Sequence, residues 1–332
     1  MRAYTARTDH PFITNPVVAA PVQYVKRNAG ILIGLFGMCF ILSIMTPVFL
    51  TTGNILNVLR QVSTNANIAL GMTLVILTGG IDLSVGAVVA IAGTMSAGFI
   101  AVSGLPVWVA LGLGLFIGLL IGFFNGFVIA KTGMPPFIVT MATLTMTRGL
   151  VYVYTGGLPI RTLDPIFNKV GSGYLGPIPL PVIYTILLYI GVMILLYRTK
   201  LGRHIYAVGG NREAARFSGI DIARVEIVVY TIIGFLSAVT GIVLCARMYS
   251  GQPTIGQGFE LDAIAGVVLG GTSFSGGVGT IGGTVIGVLV IGFLNNGLNL
   301  LGVSSFWQLI AKGAVILLAV YIDTLKKKST SK

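Results

Sequence analysis

Residues 198–226, RTKLGRHIYAVGGNREAARFSGIDIARVE, form the one long polar run between stretches that are apolar enough to cross a membrane. The flanking stretches are PVIYTILLYIGVMILLY at 181–197 and IVVYTIIGFLSAVTGIVLC at 227–245. The polar run contains six basic and three acidic residues. Short loops that are rich in arginine and lysine lie on the cytoplasmic side of a membrane. The sequence therefore predicts a cytoplasmic loop between two membrane-spanning helices.

The middle of this loop predicts a short helix that lies across the membrane face. Good helix formers run from Glu213 to Phe217. Asn211 is a typical N-cap residue, and Gly219 is a typical residue at which a helix stops. Because the loop is polar and short, we expect this helix to be exposed to a partner on the cytoplasmic side.

The composition of the whole chain is that of a polytopic membrane protein. Of its 332 residues, 55% are hydrophobic and 9% are charged, whereas soluble domains carry about 25% charged residues. Apolar windows of about 20 residues match a bilayer core of about 30 Å. We predict an all-α, polytopic transmembrane helical bundle of about nine or ten membrane segments, some broken or re-entrant. The segments include an amphipathic stretch at 49–65 and a separate apolar stretch at 66–80.

The net charge of +12 indicates membrane orientation and not a nucleic-acid partner. Basic residues cluster in the N-terminal tail, in the 198–226 loop and at 326–328, which is typical of cytoplasmic segments. We therefore expect a cytoplasmic tail at 1–28, a single transmembrane domain at 29–325 and a basic cytoplasmic tail at 326–332. Both termini lie in the cytoplasm in this interpretation, which requires an even number of crossings.

Two stretches of the chain, 74–93 and 267–287, resemble each other. Each has an apolar run, a glycine pair and then a helix of small residues, and Phe-Asn-Gly signals follow at 123–126 and 293–297. Glycine-interrupted segments at matching positions mark the solute pathway of many transporters. The sequence predicts an internal repeat with a pathway near the two breaks. The alternative is that glycine-rich membrane helices resemble each other by composition alone.

Polar residues near these breaks are the candidates for a translocation pathway. A charged side chain at bilayer depth is costly, so it normally faces a cavity or a partner. The alternatives are helix capping, which we favour for Asp82 and Asp262, and interhelical hydrogen bonds for the amides. The full candidate set is Asn65, Thr78, Asp82, Ser84, Glu260, Asp262, Ser273, Asn295 and Asn296.

Two features belong to the predicted outer face. Arg148 and Arg247 lie near what we interpret as the outer ends of their helices, where they contact an external partner or snorkel to lipid headgroups. The glycine- and proline-rich run 156–181 has no clear helical period and predicts an external loop.

The sequence offers no basis for catalysis. It contains no G-x-x-x-x-G-K-[ST] phosphate loop, and its two histidines, His10 and His204, lie in the tail and in the polar loop. Cys39 and Cys245 fall in apolar spans and have no metal-ligand spacing. We expect no enzymatic activity, no bound metal and no cofactor of the chain's own.

The polar loop carries a family resemblance. GRHIYAVGGNREAARFSGI at 202–220 resembles the cytoplasmic coupling segment of ABC importer permeases. In that superfamily a Glu-Ala-Ala-x-x-x-Gly core docks in a groove of the ATPase, and Glu213, Ala214, Ala215 and Gly219 match this core.

Three longer blocks are similar to the ribose/galactose-type sugar permeases. They are MTLVILTGGIDLSVGAVVA (72–90), ELDAIAGVVLGGTSFSGGVGT (260–280) and GFLNNGLNLLGVSSFWQLIAKGAVILLAV (292–320). The resemblance covers nearly all of residues 50–325 and is weakest at 1–27 and 156–181.

The resemblance implies a set of coupling residues and partners. The expected ATPase contacts within a coupling helix at 203–222 are Arg203, Gly210, Asn211, Glu213, Ala214, Ala215, Arg216, Ser218 and Gly219. The implied partners are a second permease copy or a sister permease, a cytoplasmic ATPase with two cassettes that binds the ATP, and an extracytoplasmic sugar-binding protein. Arg148 and Arg247 are the candidates for docking that binding protein.

The implied function is that of the membrane-spanning permease subunit of a bacterial ABC importer. The first cargo to consider is ribose, followed by another pentose, a hexose or an inositol. One alternative is a stand-alone secondary carrier, which needs ion-coupling acids and no ATPase. The other is a related ABC permease for nucleosides, branched amino acids or a furanose-like signal.

Overall fold

The computed structural model describes residues 29–330, so the predicted tail at 1–28 and the last two residues lie outside the described part. The final helix continues through 326–330, the residues of the predicted basic tail, and the division into tails and one transmembrane domain stays a prediction. The helices are α1 (Ala29–Met45), α2 (Thr52–Leu77), α3 (Val85–Ala101), α4 (Val107–Thr132), α5 (Pro136–Thr155), α6 (Pro165–Ser172), α7 (Leu180–Arg198), α8 (Lys200–Gly210), α9 (Arg212–Phe217), α10 (Ile222–Met248), α11 (Phe259–Leu269), α12 (Ile281–Leu300) and α13 (Ser305–Thr330). The strands are β1 (Ile160–Arg161), β2 (Tyr174–Leu175), β3 (Ile178–Pro179) and β4 (Ser250–Gly251).

The helices have the lengths and apolar composition of a membrane bundle. Within residues 29–330, five helices are long and apolar enough to cross a bilayer, namely α4, α5, α7, α10 and α12. Helices α1 and α3 are apolar but shorter, with 17 residues each. The stretches 49–65 and 66–80, expected to be separate segments, instead form the single 26-residue helix α2. The predicted all-α polytopic bundle is confirmed.

Helix α10 lies at the centre of the bundle, where it packs against α2, α3 and α4. Glycines bring these helices into backbone contact. A Cβ atom at Gly234 would clash with the backbone of Gly118 and Gly122 on α4, and one at Gly241 would clash with the backbone of Val89 on α3. Membrane helices associate through such small residues because no hydrophobic force holds them together in lipid.

The internal repeat predicted two glycine-rich breaks. The helices before these breaks, α2 and α11, end in the same way. Gly79 after α2 and Gly271 after α11 both have a φ of 84°, a conformation that residues with a Cβ rarely adopt. The residue after each glycine donates its N–H to the carbonyl five residues earlier, at 3.0 Å and 3.2 Å. The two breaks also touch, because the Gly277 N–H donates to the Leu77 carbonyl at 2.9 Å.

Helix α11 is a half-helix. Its 11 residues span about 16 Å, which is roughly half of the bilayer core of about 30 Å. The non-helical chain before it leaves carbonyls that lipid cannot satisfy. Arg148 on α5 meets this need, because its Nη1 donates to the Pro253 and Ile255 carbonyls at 2.7 Å and 2.8 Å. This half-helix confirms that some membrane segments are broken.

The run 156–181 is more ordered than its composition suggested. Strand β1 pairs with β4, and strands β2 and β3 form a hairpin. Helix α6 lies between β1 and β2 in the chain. Asp164 caps α6 by accepting the Ile166 and Phe167 N–H groups at 2.8 Å and 2.9 Å. Phe167 is fully buried, and α6 packs against α10. The expectation of a loop without helix was wrong, and Asp-Pro at 164–165 is the helix-start signal that would have corrected it.

Candidate functional site

The polar loop 198–226 folds into two short helices joined by one capping residue. Thr199 opens α8 by accepting the Gly202 N–H at 3.3 Å. Asn211 ends α8 through its backbone N–H and opens α9 by accepting the Ala214 N–H on its Oδ1 at 2.9 Å. Gly219, with a φ of 79°, follows the last turn of α9. The short helix, its cap and its stop are therefore confirmed, whereas the coupling helix expected at 203–222 is not one helix, because Asn211 and Gly219 interrupt it.

Helix α9 presents nearly all of its side chains to solvent. Ala215 is the exception, with 4% of its surface exposed, while Phe217 is 87% exposed. A single exposed apolar side chain is common on protein surfaces, so Phe217 is a candidate docking residue because of its position on α9 and not because of its exposure. The expected coupling residues other than Ala215 are exposed on α9 or flank it, namely Arg203, Gly210, Asn211, Glu213, Ala214, Arg216, Ser218 and Gly219. Their contact with an ATPase stays a prediction.

An ion pair absent from the sequence predictions joins α9 to the central helix. Arg212 Nη1 lies 2.6 Å from Glu226 Oε1. The hydrogen bond to Glu226 is the main reason that the pKa of Arg212 is raised above its usual value. Both side chains line a cavity of about 280 Å³ together with Thr78, one of the pathway candidates. The signal available in the sequence was an acid, Glu226, at the start of an apolar span.

Helix α8 rests directly on the two breaks. A Cβ atom at Gly209 would collide with the Leu77 carbonyl and with Gly277, and Tyr206 donates its hydroxyl to the Gly279 carbonyl at 2.9 Å. The pathway candidate Ser273 lies in the same second break, where its N–H donates to the Val278 carbonyl. A displacement of the α8–α9 unit therefore acts on the end of α2 and on the non-helical segment between α11 and α12.

A buried hydrogen-bonded chain surrounds the start of α3. Asp82 Oδ1 accepts the backbone N–H of Ser84 at 2.8 Å and its hydroxyl at 2.6 Å. Ser84 Oγ accepts from Asn125 Nδ2 at 2.9 Å, and Asn125 Oδ1 accepts from the Thr143 hydroxyl at 2.7 Å. Helix α3 begins at Val85 with Ser84 at its N-cap position, so the cap expected of Asp82 is corrected: its carboxylate binds the N-cap residue and no N–H group of the helix. This network ties α3 to α4 and α5.

The cap expected of Asp262 is corrected by the structure. Asp262 lies inside the first turn of α11, whose N-cap position is Gly258. Its Oδ2 lies 2.9 Å from Lys312 Nζ on α13 and accepts from Asn65 Nδ2 at 3.3 Å. Removing either partner of such a buried pair leaves an uncompensated charge, which is strongly destabilising. Lys312 was missed, although it is the one charged residue within the apolar block 304–320.

The two adjacent amides on α12 have different environments. Asn296 forms a reciprocal pair with Asn54 on α2, with hydrogen bonds of 2.8 Å and 3.0 Å. Asn295 instead lines a cavity of about 140 Å³ together with Asn65, Asp262 and Lys312. Asn296 thus joins two helices, whereas Asn295 is a buried residue at the wall of the cavity.

The remaining candidates are separated from this cavity. Glu260 accepts the Gly258 N–H at 3.3 Å, and its Oε2 lies beside the first turn of α3 at Gly86. Arg148 lies well inside α5 and is engaged by carbonyls, while Arg247 lies in the last turn of α10. The structure therefore distributes the nine pathway candidates over several places and gathers three of them, Asn65, Asp262 and Asn295, around one cavity.

These features define a class of protein: a polytopic helical membrane bundle in which the exposed short helix α9 follows a helix, α8, that packs against breaks in the membrane segments. The chain belongs to the family described as the branched-chain amino acid transport system / permease component, whose model matches residues 54–320. No solved structure matches the chain.

Several curated relatives align along nearly their whole length. The ribose import permease protein RbsC of Bacillus subtilis (strain 168) is 54% identical over 307 residues, which cover 92% of this chain and 94% of that protein. The ribose import permease protein RbsC of Escherichia coli (strain K12) is 46% identical over 300 residues, covering 89% and 93%. The D-allose transport system permease protein AlsC of the same strain is 38% identical over 301 residues, covering 88% and 92%.

Proposed function

We propose that this chain is the membrane-spanning permease subunit of a binding-protein-dependent ABC importer that carries ribose across the bacterial inner membrane. The observation that carries the proposal is the exposed helix α9, whose supporting helix α8 contacts both broken membrane segments through Gly209 and Tyr206. The identities of 54% and 46% to two ribose import permeases support the choice of cargo.

The transport step follows from the geometry of these two helices. ATP-driven movement of a cytoplasmic ATPase displaces α9, and the Arg212–Glu226 ion pair passes the force to α10. Contacts at Gly209 pass it to the end of α2 and to the segment that joins α11 to α12. Because packed helices have discrete arrangements, a small shift at this end switches the bundle between two states. ATP hydrolysis belongs to the partner in this proposal.

The partners and orientation complete the proposal. The α8–α9 end faces the cytoplasm by the positive-inside rule, where it meets an ATPase with two cassettes. The opposite end, with α6 and Arg247, meets a sugar-binding protein. A second copy of the chain supplies the other half of the membrane pathway.

Reconstitution with and without the partners tests this function. Labelled ribose is offered to proteoliposomes that contain the chain alone, with the neighbouring ATPase, or with both the ATPase and the binding protein. We expect uptake only with both partners and hydrolysable ATP. Ala214→Trp and Gly219→Pro should abolish this uptake while the protein remains in the membrane. Ribose uptake by the chain alone, driven by an ion gradient, would establish a secondary carrier instead.

A further inference from the structure

The non-helical segment 252–258, which precedes the half-helix α11, lies at the depth of the bilayer core. Arg148 Nη1 holds this segment by donating to the Pro253 and Ile255 carbonyls at 2.7 Å and 2.8 Å. Arg148 lies twelve residues after the first residue of α5 and seven before its last. These separations correspond to about 18 Å and about 10 Å along the helix. The segment therefore lies well inside a hydrocarbon core of about 30 Å.

Polar side chains of this segment are exposed at that depth. Thr254 and Gln257 are exposed, whereas Ile255 and Gly256 between them are buried. Lipid chains offer no hydrogen-bond partner to a hydroxyl or an amide. Non-helical backbone at membrane depth occurs only where it is buried in protein or lines a water-filled cavity. Because of this restriction, lipid does not cover this surface in the assembled protein.

Helix α5, beside the segment, has an exposed face that is suited to contact another helix. It packs against α3 and α4, and away from these contacts it exposes Ala142, Thr145 and Gly149 at helical spacing. A Cβ atom at Gly149 would meet open space. Membrane helices approach each other closely at small residues of this kind. The exposed face of α5 is thus available to a helix that residues 29–330 of the same chain do not supply.

A second copy of the chain fits both parts of this surface. In a twofold dimer the same surface of each copy faces the symmetry axis. The two α5 helices then lie next to each other, and the two polar segments face one common space between the copies. That space is polar on both sides, as the passage of a hydroxylated solute requires.

We propose that the segment 252–258 and the exposed face of α5 line the sugar pathway between two copies of the chain, where Thr254 and Gln257 form hydrogen bonds with the hydroxyls of the passing sugar. Arg148 is a positioning residue, because it binds the carbonyls of the segment and not the sugar. This inference rests on the proposed function, and it names the surface at which the two copies meet.

An introduced thiol tests the wall of the pathway and the dimer together. Gln257→Cys is assembled with the ATPase and the binding protein in lipid nanodiscs, then treated with a charged thiol reagent or, separately, with a flexible bifunctional one. The control is Phe116→Cys, at an apolar position in the middle of α4 that is 58% exposed. We expect Gln257→Cys to be labelled at least about tenfold faster than the control, because lipid excludes charged groups. Only Gln257→Cys should give a covalent dimer, and the parent chain with Cys39 and Cys245 supplies the background.

Ribose uptake gives a second measurement at the same position. Gln257→Leu keeps an exposed side chain of similar size and removes its hydrogen-bonding groups. Uptake should fall about two- to tenfold, as for the loss of one hydrogen bond, whereas the amount of bound ATPase should not change. Gln257→Asn, which keeps an amide, should retain most of the uptake.

The outcomes separate this inference from the proposed function. Labelling without a covalent dimer, a dimer without labelling, or the absence of both overturns the shared pathway wall, even if the wild-type importer takes up ribose. Unchanged uptake by Gln257→Leu overturns the contact with the sugar. Failure of the wild-type importer to take up ribose with ATP and both partners overturns the proposed function instead, and it leaves labelling and dimer formation intact. If Gln257→Cys does not accumulate in the membrane, Thr254→Cys in the same segment gives the same measurement.

Discussion

At the scale of single residues, similar side chains have opposite roles because their neighbours differ. Asn295 and Asn296 are adjacent in the chain, yet a helix turns by about 100° per residue, so they face different surroundings. Asn296 reaches Asn54 and joins α12 to α2, whereas Asn295 reaches a cavity. Asparagine on a membrane helix is therefore not by itself a sign of either packing or transport.

Leucine substitutions at these two positions should separate the roles. Asn296→Leu removes both hydrogen bonds to Asn54, whose Nδ2 keeps only its bond to the Phe49 carbonyl, and we expect a loss of about 0.6–1.7 kcal/mol in the free energy of unfolding, as for other interhelical hydrogen bonds in membranes. Asn295→Leu removes an acceptor that has no protein partner, so stability should be unchanged or higher. Thermal unfolding in detergent measures both. Equal destabilisation by the two variants would contradict this assignment.

The Arg212–Glu226 pair yields a second prediction at this scale. Glu226 is 5% exposed, so Arg212→Ala leaves a buried carboxylate without its cation. We expect a loss of about 1–3 kcal/mol, toward the lower end because Arg212 is half exposed and screened by solvent. The second substitution Glu226→Gln should recover part of the loss, which a double-mutant cycle of unfolding free energies measures. Arg224→Ala, an exposed arginine nearby, is the control and should have little effect.

At the scale of elements, the decisive contact is between α8 and the two breaks. Each break is a helix end stabilised by a glycine with positive φ, and α8 lies against both because Gly209 has no side chain. We expect this contact to be stiff, because close-packed protein interiors have low compressibility and transmit strain. The coupling role assigned to α9 depends on this stiffness.

Adjacent glycines on α8 provide a matched test of the joint. A methyl group at Gly209 meets the Leu77 carbonyl and Gly277, whereas a methyl group at Gly210 meets open space. We expect Gly209→Ala to cost about 1–3 kcal/mol of folding stability and Gly210→Ala to change stability by less than about 0.5 kcal/mol. Thermal unfolding of the two variants in lipid nanodiscs makes the comparison. A Gly209→Ala protein as stable as the wild type would show that α8 does not bear on the breaks.

Helix α9 should carry its function on its exposed face. Phe217→Ser removes an apolar side chain that is 87% exposed, so folding stability should not fall. If the ATPase docks there, its affinity for the chain and the rate of ribose uptake should fall about tenfold, since a docking hot spot contributes more than about 1 kcal/mol. Phe217→Leu, which keeps an apolar side chain, should retain most of the uptake. Normal ATPase binding by Phe217→Ser would exclude Phe217 from the docking surface.

At the scale of the whole molecule, the described part of each chain presents one helix, α9, with the proposed coupling role. An ATPase with two cassettes offers two grooves, so the proposed importer needs two such helices. We therefore expect two copies of this chain in each assembled complex when no sister permease is supplied. Native mass spectrometry of the purified complex counts the copies. A complex with one copy per two-cassette ATPase would contradict the dimer.

The sequence alone determined the class of fold, the position of the short helix α9 and the family. These depend on apolar windows, on local caps such as Asn211 and Gly219, and on long blocks of family resemblance, all of which are properties of neighbouring residues. The breaks after Gly79 and Gly271 could be located for the same reason. Helix α6 was missed because its buried face has meaning only against α10, although its Asp-Pro start is local.

Only the tertiary structure decided which polar residues meet. Asp262 and Lys312 are fifty positions apart, and Asn54 and Asn296 are farther apart still. No local pattern pairs such residues, because the partner of a buried polar group is chosen by how helices cross in three dimensions. For the same reason, only the structure separated Asn295 at the cavity from Asn296 at the helix contact, and placed Arg148 on the carbonyls of a broken segment. Local physical chemistry specified the helices and their ends, and long-range packing specified the site.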